Sequence, residues 1–305
     1  MYLNPIVKKD VKVQSRSMKI CWGVFAYELI LALVFFLAMT VIQGNSRYST
    51  GNIYSAMVWL YPILAVTQLV ILGILVPIRT ASSISGEKER QTFDIMMTTS
   101  MSPFSVIMGK VMTAVVQSMF YVVASMPIMA LPFIIGGMSW AYLFLFLGIA
   151  LLVAFFSASI GILCSSLCKK SVGAVNMSYV FYLIFFLGTV IPPVVYSVIH
   201  DNMRYNLGYV PQVYEMFGPN VYLSLLLNPA VYLIEYFTGI MAGESLIKNG
   251  FYDINAISTK GPIKLAASGN WWMILSTVLF IGVSLLFLWI ASRRIDPIKG
   301  RRKKR

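Results

Sequence analysis

Apolar and polar positions alternate along this chain in long blocks. Six apolar stretches are each about 20 residues or longer, the length that a helix needs to cross the hydrocarbon layer of a membrane. The pattern therefore predicts an all-α polytopic membrane protein with six transmembrane helices. The predicted spans cover residues 20–42, 54–78, 103–135, 140–167, 172–191 and 271–291.

Helix-capping and helix-breaking residues indicate several of these boundaries. Ser102 is a predicted N-cap, and Pro103 suits the first turn of the helix that follows. Gly136 and Gly137 are expected to end the third span, and Pro192 with Pro193 the fifth.

Residues 1–19 predict a short amphipathic helix ahead of the first span. Asn4 can cap it, and Pro5 suits its first position. An apolar stripe (Ile6, Val7 and Val11) lies beside three lysines (Lys8, Lys9 and Lys12). A helix of this kind is expected to lie along the cytosolic membrane interface.

The long segment 194–270 between the fifth and sixth spans determines the topology. It holds one ambiguous apolar run, residues 222–240, which Asn228 and Pro229 interrupt. If this run does not span, nineteen of the 24 Lys and Arg residues lie on one side of the membrane. The positive-inside rule then places that side and both termini in the cytosol. We interpret residues 222–240 as outer re-entrant or interfacial helices within an extracytoplasmic region.

Aromatic and basic residues fit the same topology. Trp140, Trp271 and Trp272 occur where anchors at the outer interface are expected. The tail, residues 293–305, is strongly basic and is expected to meet anionic headgroups in the cytosol.

Composition excludes a soluble protein. Hydrophobic residues make up 58% of the chain and charged residues 11%, against about 25% charged in soluble domains. The composition therefore predicts that the 305 residues form a single transmembrane domain. The net charge of +13 does not indicate nucleic-acid binding, because the basic residues lie at the ends of apolar segments and form no face with stacking aromatics.

Five polar residues lie inside predicted apolar runs, where polar groups are costly and usually face a cavity or a partner. They are Glu28, Gln68, Gln117, Asn176 and Glu235. One interpretation is a proton or substrate pathway that uses the two carboxylates. The other is that Glu28 is hydrated or paired with Lys19 near the interface, and that the amides form hydrogen bonds between helices.

No catalytic machinery is visible in the sequence. The only histidine is His200, and there is no G-x-x-x-x-G-K-[ST] phosphate-binding loop. The three cysteines, Cys21, Cys164 and Cys168, imply no disulfide framework. Cys164 and Cys168 are four residues apart on one predicted helix face, which could suggest a metal or lipidation site, but no histidine or carboxylate lies nearby in sequence and we interpret them as packing residues. We therefore expect no enzyme activity and no cofactor on this chain.

The polar segment 80–102 between the second and third spans holds the most informative pattern. A dense charged cluster, Glu87 to Arg90, is followed by an apolar group containing Phe93, Ile95, Met96 and Met97. An apolar group in a polar loop usually marks a contact surface. The alternative is that these side chains pack against the ends of the spans.

The chain resembles the membrane subunits of type 2 ABC transporters, the ABC exporter permease family. The resemblance rests on Gly86-Glu87-Lys88-Glu89-Arg90-Gln91-Thr92-Phe93-Asp94, followed by Gly109-Lys110, and on Asn4-Pro5-Ile6-Val7-Lys8-Lys9-Asp10. Two positions depart from the family pattern, because Gln91 replaces a common glycine and Asp10 replaces the usual glutamate.

The resemblance implies a subunit that couples to a separate ATPase. Glu87 to Arg90 would belong to the connection that meets the ATPase, and Thr92 to Met97 to a coupling helix inserted into a groove of that subunit. The implied coupling residues are Glu87, Lys88, Glu89, Arg90, Thr92, Phe93, Asp94, Ile95, Met96 and Met97. ATP and Mg would bind to the nucleotide-binding partner, and a second permease copy or a paralogue would complete the translocation pathway in a bacterial plasma membrane.

A competing interpretation is an ion-coupled secondary transporter that uses Glu28 and Glu235. Many such transporters carry paired Gly- or Pro-interrupted helices in matching halves of the chain. The six predicted spans show no such pair.

Overall fold

A computed structural model describes residues 18–46, 58–93, 102–208, 218–241 and 271–295 of the chain, together with Lys12. All regular elements in these ranges are helical. The α-helices are α1 Met18–Ser46, α2 Leu60–Glu89, α3 Pro103–Ala124, α4 Met126–Gly136, α5 Ala141–Leu167, α6 Ser171–Leu207, α7 Pro229–Met241 and α8 Trp271–Ile295, and a 3₁₀ helix covers Gly218–Leu227. The amphipathic helix predicted for residues 1–19, the segment Asp94 to Met97 and the tail beyond Ile295 lie outside the described residues, apart from Lys12 and the start of α1.

Six helices in the described part of the chain are long and apolar enough to cross a membrane, which confirms the predicted number of spans. They are α1, α2, α3, α5, α6 and α8. Between α6 and α8, the residues Asn220–Leu227 and Pro229–Gly239 form two short helices bent by 94° at Asn228. This bent pair would count as a seventh candidate only if it were one broken span.

The second span continues well beyond its predicted end. We expected it to stop at residue 78 and a loop to begin at Arg79, but α2 remains helical to Glu89. The apolar pattern stops at Ile78, whereas the backbone hydrogen bonding does not, because the charged side chains of the last turns find partners on neighbouring helices. Glu87, Lys88 and Glu89 therefore lie on a helix.

The third span is divided. Ser102 caps α3 as predicted, with its side chain accepting a hydrogen bond from Ser105 N–H at 3.2 Å, and Pro103 occupies the first turn. The expected continuous helix to residue 135 is instead broken at Ser125, just before Pro127, whose ring nitrogen cannot donate to the preceding turn. Gly137, with φ of 66°, ends α4.

The fifth span does not end at Pro192 and Pro193, as the sequence suggested, but runs from Ser171 to Leu207. Pro193 has no N–H to donate to the carbonyl of Thr189, four residues earlier. The side-chain hydroxyl of Ser224 donates to that carbonyl at 2.8 Å. A prolonged helix is tolerated because another segment supplies the missing donor.

The chain divides into two compact units, the first comprising residues 1–179 and 283–305 and the second residues 180–282. In the first unit, α2 and α5 run parallel in a nearly constant register. The hydroxyl of Tyr61 donates to the carbonyl of Tyr142, and Ile84 N–H donates to Ser165 Oγ, each pair being 81 residues apart. Thr80 meets Gly161 at the same offset.

Small side chains allow this close approach. Ser157, Gly161 and Ser165 repeat every four residues along one buried face of α5. Such small residues bring helix backbones close together in membranes, where packing rather than water drives association. Gly161 is the tightest point, since a Cβ atom built on it would overlap the side chain of Thr80.

The second unit is organised around a buried asparagine. The side-chain amide of Asn228 donates to the carbonyl of Phe186 at 2.9 Å and to Thr189 Oγ1 at 2.8 Å. Its Oδ1 atom accepts from Ala230 N–H at 2.9 Å and Val231 N–H at 3.2 Å, which caps α7. Asn228 therefore holds the bend between the 3₁₀ helix and α7 against α6.

The three tryptophans predicted as interface anchors do not share one environment. Trp140 and Trp271 are exposed, as an anchor at the interface would be. Trp272 is 1% exposed and packs in the core of the second unit with Tyr196 and Tyr222, so its assignment as an anchor was wrong.

Candidate functional site

The charged cluster lies at the end of α2, where the chain leaves the helix in a tight turn. Gln91 N–H donates to the carbonyl of Lys88 at 3.2 Å, and Thr92 N–H to the carbonyl of Glu87 at 3.0 Å. These two bonds form a Schellman motif, whose C′ residue adopts a left-handed conformation. That residue is Gln91, with φ of 57°.

Gln91 therefore occupies a backbone conformation that favours glycine. Glycine adopts positive φ without the steric cost that a Cβ atom brings. The family pattern places glycine here, and this chain keeps the turn with a larger residue. The side chains of Arg90, Gln91 and Thr92 are all exposed on this turn.

Glu87 forms an ion pair with α3. Its Oε1 atom lies 2.7 Å from Lys110 Nζ, and the lysine also donates to the carbonyl of Ser83 at 3.0 Å. The side chain of Lys110 is only 8% exposed and that of Glu87 29% exposed. The pair is thus an internal link between α2 and α3.

Lys88 binds the end of α5. Its ammonium donates to the carbonyls of Ser166 at 2.6 Å, Cys168 at 3.3 Å and Ser165 at 3.4 Å. The last carbonyls of a helix have no partner within the helix, and they carry the negative end of its dipole. The same ammonium lies 5.8 Å from the centre of the Phe93 ring, which is half-buried.

Glu89 contacts the beginning of α6. Its Oε2 atom accepts a hydrogen bond from Ser171 Oγ at 2.5 Å. Ser171 is the first residue of α6. The sequence contained no signal for this contact, or for the role of the α5 carbonyls, because the partners are about 80 residues away along the chain.

The five candidate pathway residues lie in different environments. Gln68 and Gln117 are buried in the first unit, and neither the amide nitrogen nor the oxygen of Gln68, nor the nitrogen of Gln117, finds a hydrogen-bond partner among the described residues. Glu28 Oε1 is also buried without a partner in that part of the chain. Asn176 is exposed, and Glu235 is 5% exposed in the second unit.

These environments bear on both interpretations of the polar residues. No hydrogen bond between helices is formed by Gln68 within the described ranges, contrary to the packing interpretation of the amides. The side chain of Lys19, the suggested partner of Glu28, lies outside the described residues. Within the first unit, Asn176 is exposed and therefore does not join the buried Gln68 and Gln117 in one site.

A cluster that the sequence analysis missed lies between α2 and α3. The guanidinium of Arg79 donates to the hydroxyl of Tyr121 and lies 5.0 Å from the centre of its ring. Tyr121 packs edge-on against Tyr27 at 5.5 Å. A nearby cavity lined by residues of both helices, including Leu72 and Ser118, has a volume of about 10 Å³. That volume holds one water molecule at most.

The described residues contain no group of three or more His, Cys, Asp or Glu side chains that could hold a metal ion. The structure thus offers a polar, multiply anchored end of α2 as the candidate site. Three of its charged side chains, those of Glu87, Lys88 and Glu89, contact three different helices, so a movement of this end of α2 can be passed to its neighbours.

A family described as ABC-2 type transporter matches residues 6–197, well over half of the chain. The matched range includes α1 to α5, most of α6 and the whole candidate site. No curated protein matches the chain.

Proposed function

Because the chain belongs to the ABC-2 type transporter family, whose members are permease components of ABC transporters, we propose that it works as an exporter with separate nucleotide-binding subunits. ATP and Mg would bind to those subunits. This chain has no phosphate-binding loop of the Walker type, so the energy would reach it through contacts.

The observation that carries this proposal is the end of α2. Three exposed residues, Arg90 to Thr92, leave the helix in a turn that backbone hydrogen bonds hold. We assign the docking to an ATPase to the segment that begins with this turn. Nucleotide binding can shift the permease between two packings only if the ATPase contacts differ between them. The turn at Arg90 to Thr92 is joined to α2 by backbone hydrogen bonds and is suited to carry such a difference into that helix.

We further propose that two copies, or this chain and a paralogue, form the pathway between them. This arrangement is the one that the resemblance to type 2 ABC transporter permeases implies, and the family match is consistent with it. The proposed setting is a bacterial plasma membrane with both termini in the cytosol, which the distribution of Lys and Arg supports.

Purification of the tagged permease from its native membrane tests the proposal. We expect a protein with a Walker-type phosphate-binding loop to co-purify in a fixed ratio and to hydrolyse ATP. Arg90→Glu should remove this partner, whereas Arg294→Glu, which reverses an exposed charge at the end of α8, should retain it. If the wild-type chain purifies without an ATPase, the proposal is wrong.

A further inference from the structure

We propose that Glu87, Lys88 and Glu89 are positioning residues that join the docking segment to three other helices, and that the docking surface itself begins at Arg90. This inference rests on the proposed function and divides the charged cluster into two parts. One part acts inside the permease, and the other meets the ATPase.

The three side chains point to three different helices. Successive residues of an α-helix are rotated by about 100°, so three in a row cover more than half of the helix circumference. Glu87 pairs with Lys110 on α3, Lys88 with the carboxyl end of α5, and Glu89 with Ser171 on α6. The last turn of α2 is therefore attached on several sides.

Lys88 is the central link, because its bonding capacity is already used. A lysine ammonium has three N–H donors and no acceptor. Three backbone carbonyls lie within hydrogen-bond distance of it, the nearest being that of Ser166 at 2.6 Å. The cation also meets the negative end of the α5 dipole. A carboxylate on another protein would have to displace these contacts.

Glu89 is exposed as well, but its carboxylate is bonded to Ser171 on α6, whereas the side chains of Arg90, Gln91 and Thr92 form no hydrogen bond to another helix among the described residues. The turn that holds these three exposed residues is formed by backbone hydrogen bonds. Their side chains remain accessible to a partner, while the backbone transmits displacement directly to Lys88. A displacement of the docked segment would thus move the first half of α3, the end of α5 and the start of α6 together.

The test uses the permease in complex with the ATPase that co-purifies with it. Lys88→Met keeps the length and apolar stem of the side chain and removes its three donors. Lys88→Arg keeps a cation with donors and serves as the matched control. Spin labels at Met18 and Leu167, both exposed, report the distance between the start of α1 and the end of α5, after the three cysteines have been replaced by serine.

We expect the wild-type distance to change when the complex is trapped with ATP and Mg. Lys88→Met should co-purify with the ATPase at the wild-type ratio but lose most of this change, and Lys88→Arg should retain it. Arg90→Glu should lose the ATPase itself. If Lys88→Met does not fold, Ser171→Ala is the second variant, because it removes only the hydroxyl that donates to Glu89. It should reduce the distance change while the ATPase is retained.

Two outcomes overturn the inference. Loss of the ATPase by Lys88→Met to the same extent as by Arg90→Glu would place Lys88 in the docking surface. The linkage does not transmit movement if the wild type shows no nucleotide-dependent distance change, or if Lys88→Met and Ser171→Ala both retain the full change. Failure of the wild type to bind any ATPase is a separate result that contradicts the proposed function.

Discussion

Gly161 is expected to be the position where the contact between α2 and α5 tolerates least change. A Cβ atom at this residue would lie 2.9 Å from Thr80 Cβ and 3.1 Å from Ala81 N, as well as overlapping Thr80 Oγ1. The hydroxyl could rotate away, but the other two atoms are fixed by the backbone of α2. Gly161→Ala should therefore force the two helices apart.

The magnitude follows from two opposing effects. Overpacking a well-packed interior costs about 1–3 kcal/mol. Replacing glycine by alanine within a helix contributes about 1 kcal/mol in the other direction. We expect a net loss of up to about 2 kcal/mol, which corresponds to a fall in Tm of up to roughly 8 °C at about 2–4 °C per kcal/mol.

Thermal unfolding of the purified protein in detergent measures this effect. Gly148→Ala is the matched control, because Gly148 lies on the same helix and a Cβ atom there would meet nothing within 4 Å. The control should match or exceed the wild-type Tm. Adding Thr80→Ala to Gly161→Ala should recover part of the loss. Equal Tm values for the Gly161 and Gly148 variants would refute the close packing described for α2 and α5.

Three further predictions concern other contacts, and Tm is the measurement for each. Gln91→Gly should raise stability by about 0.5–1 kcal/mol, because glycine relieves the left-handed conformation; a fall would contradict the Schellman geometry. Asn228→Leu should lower the free energy of unfolding by roughly 2–4 kcal/mol, because four hydrogen bonds are lost. Ser224→Ala should lower it by about 1 kcal/mol, and equal effects of the two variants would argue against a central role for the asparagine. Lys110→Met should lower the free energy of unfolding by about 1–3 kcal/mol, because it leaves the partly buried carboxylate of Glu87 unpaired. Adding Glu87→Leu should restore most of this stability, and a double variant as unstable as the single one would contradict the internal ion pair.

The number of spans and their approximate positions could be predicted from the sequence, because the bilayer imposes length and apolarity on every segment that crosses it. The start of α3 could also be predicted, because Ser102 is a suitable N-cap and Pro103 suits the first turn. The end of α2 could not be predicted in this way, because hydropathy shows where apolar residues stop and not where backbone hydrogen bonding stops. The helix through Pro192 and Pro193 depends on a hydroxyl that follows more than 30 residues later.

For the candidate site, the charged cluster was visible in the sequence but its organisation was not. The resemblance implied that Glu87 to Arg90 belong to the connection that meets an ATPase. The contacts of Lys88 within this chain could not be predicted, because it binds backbone carbonyl groups that any residue of α5 could supply and that leave no side-chain pattern. The left-handed turn at Gln91 was equally hidden, since the usual glycine is replaced.

Because residues of α2 contact α5 at the same offset of 81 residues near both ends of the helices, the two helices are expected to move as one rigid body. The contacts from Tyr61 to Ile84 extend over about 35 Å at 1.5 Å per residue. Sliding by one turn would require a shift of about 5.4 Å past the narrow point at Gly161, so the pair is expected to tilt as one body instead. A tilt of only about 5° at one end would displace the other by roughly 3 Å over that length.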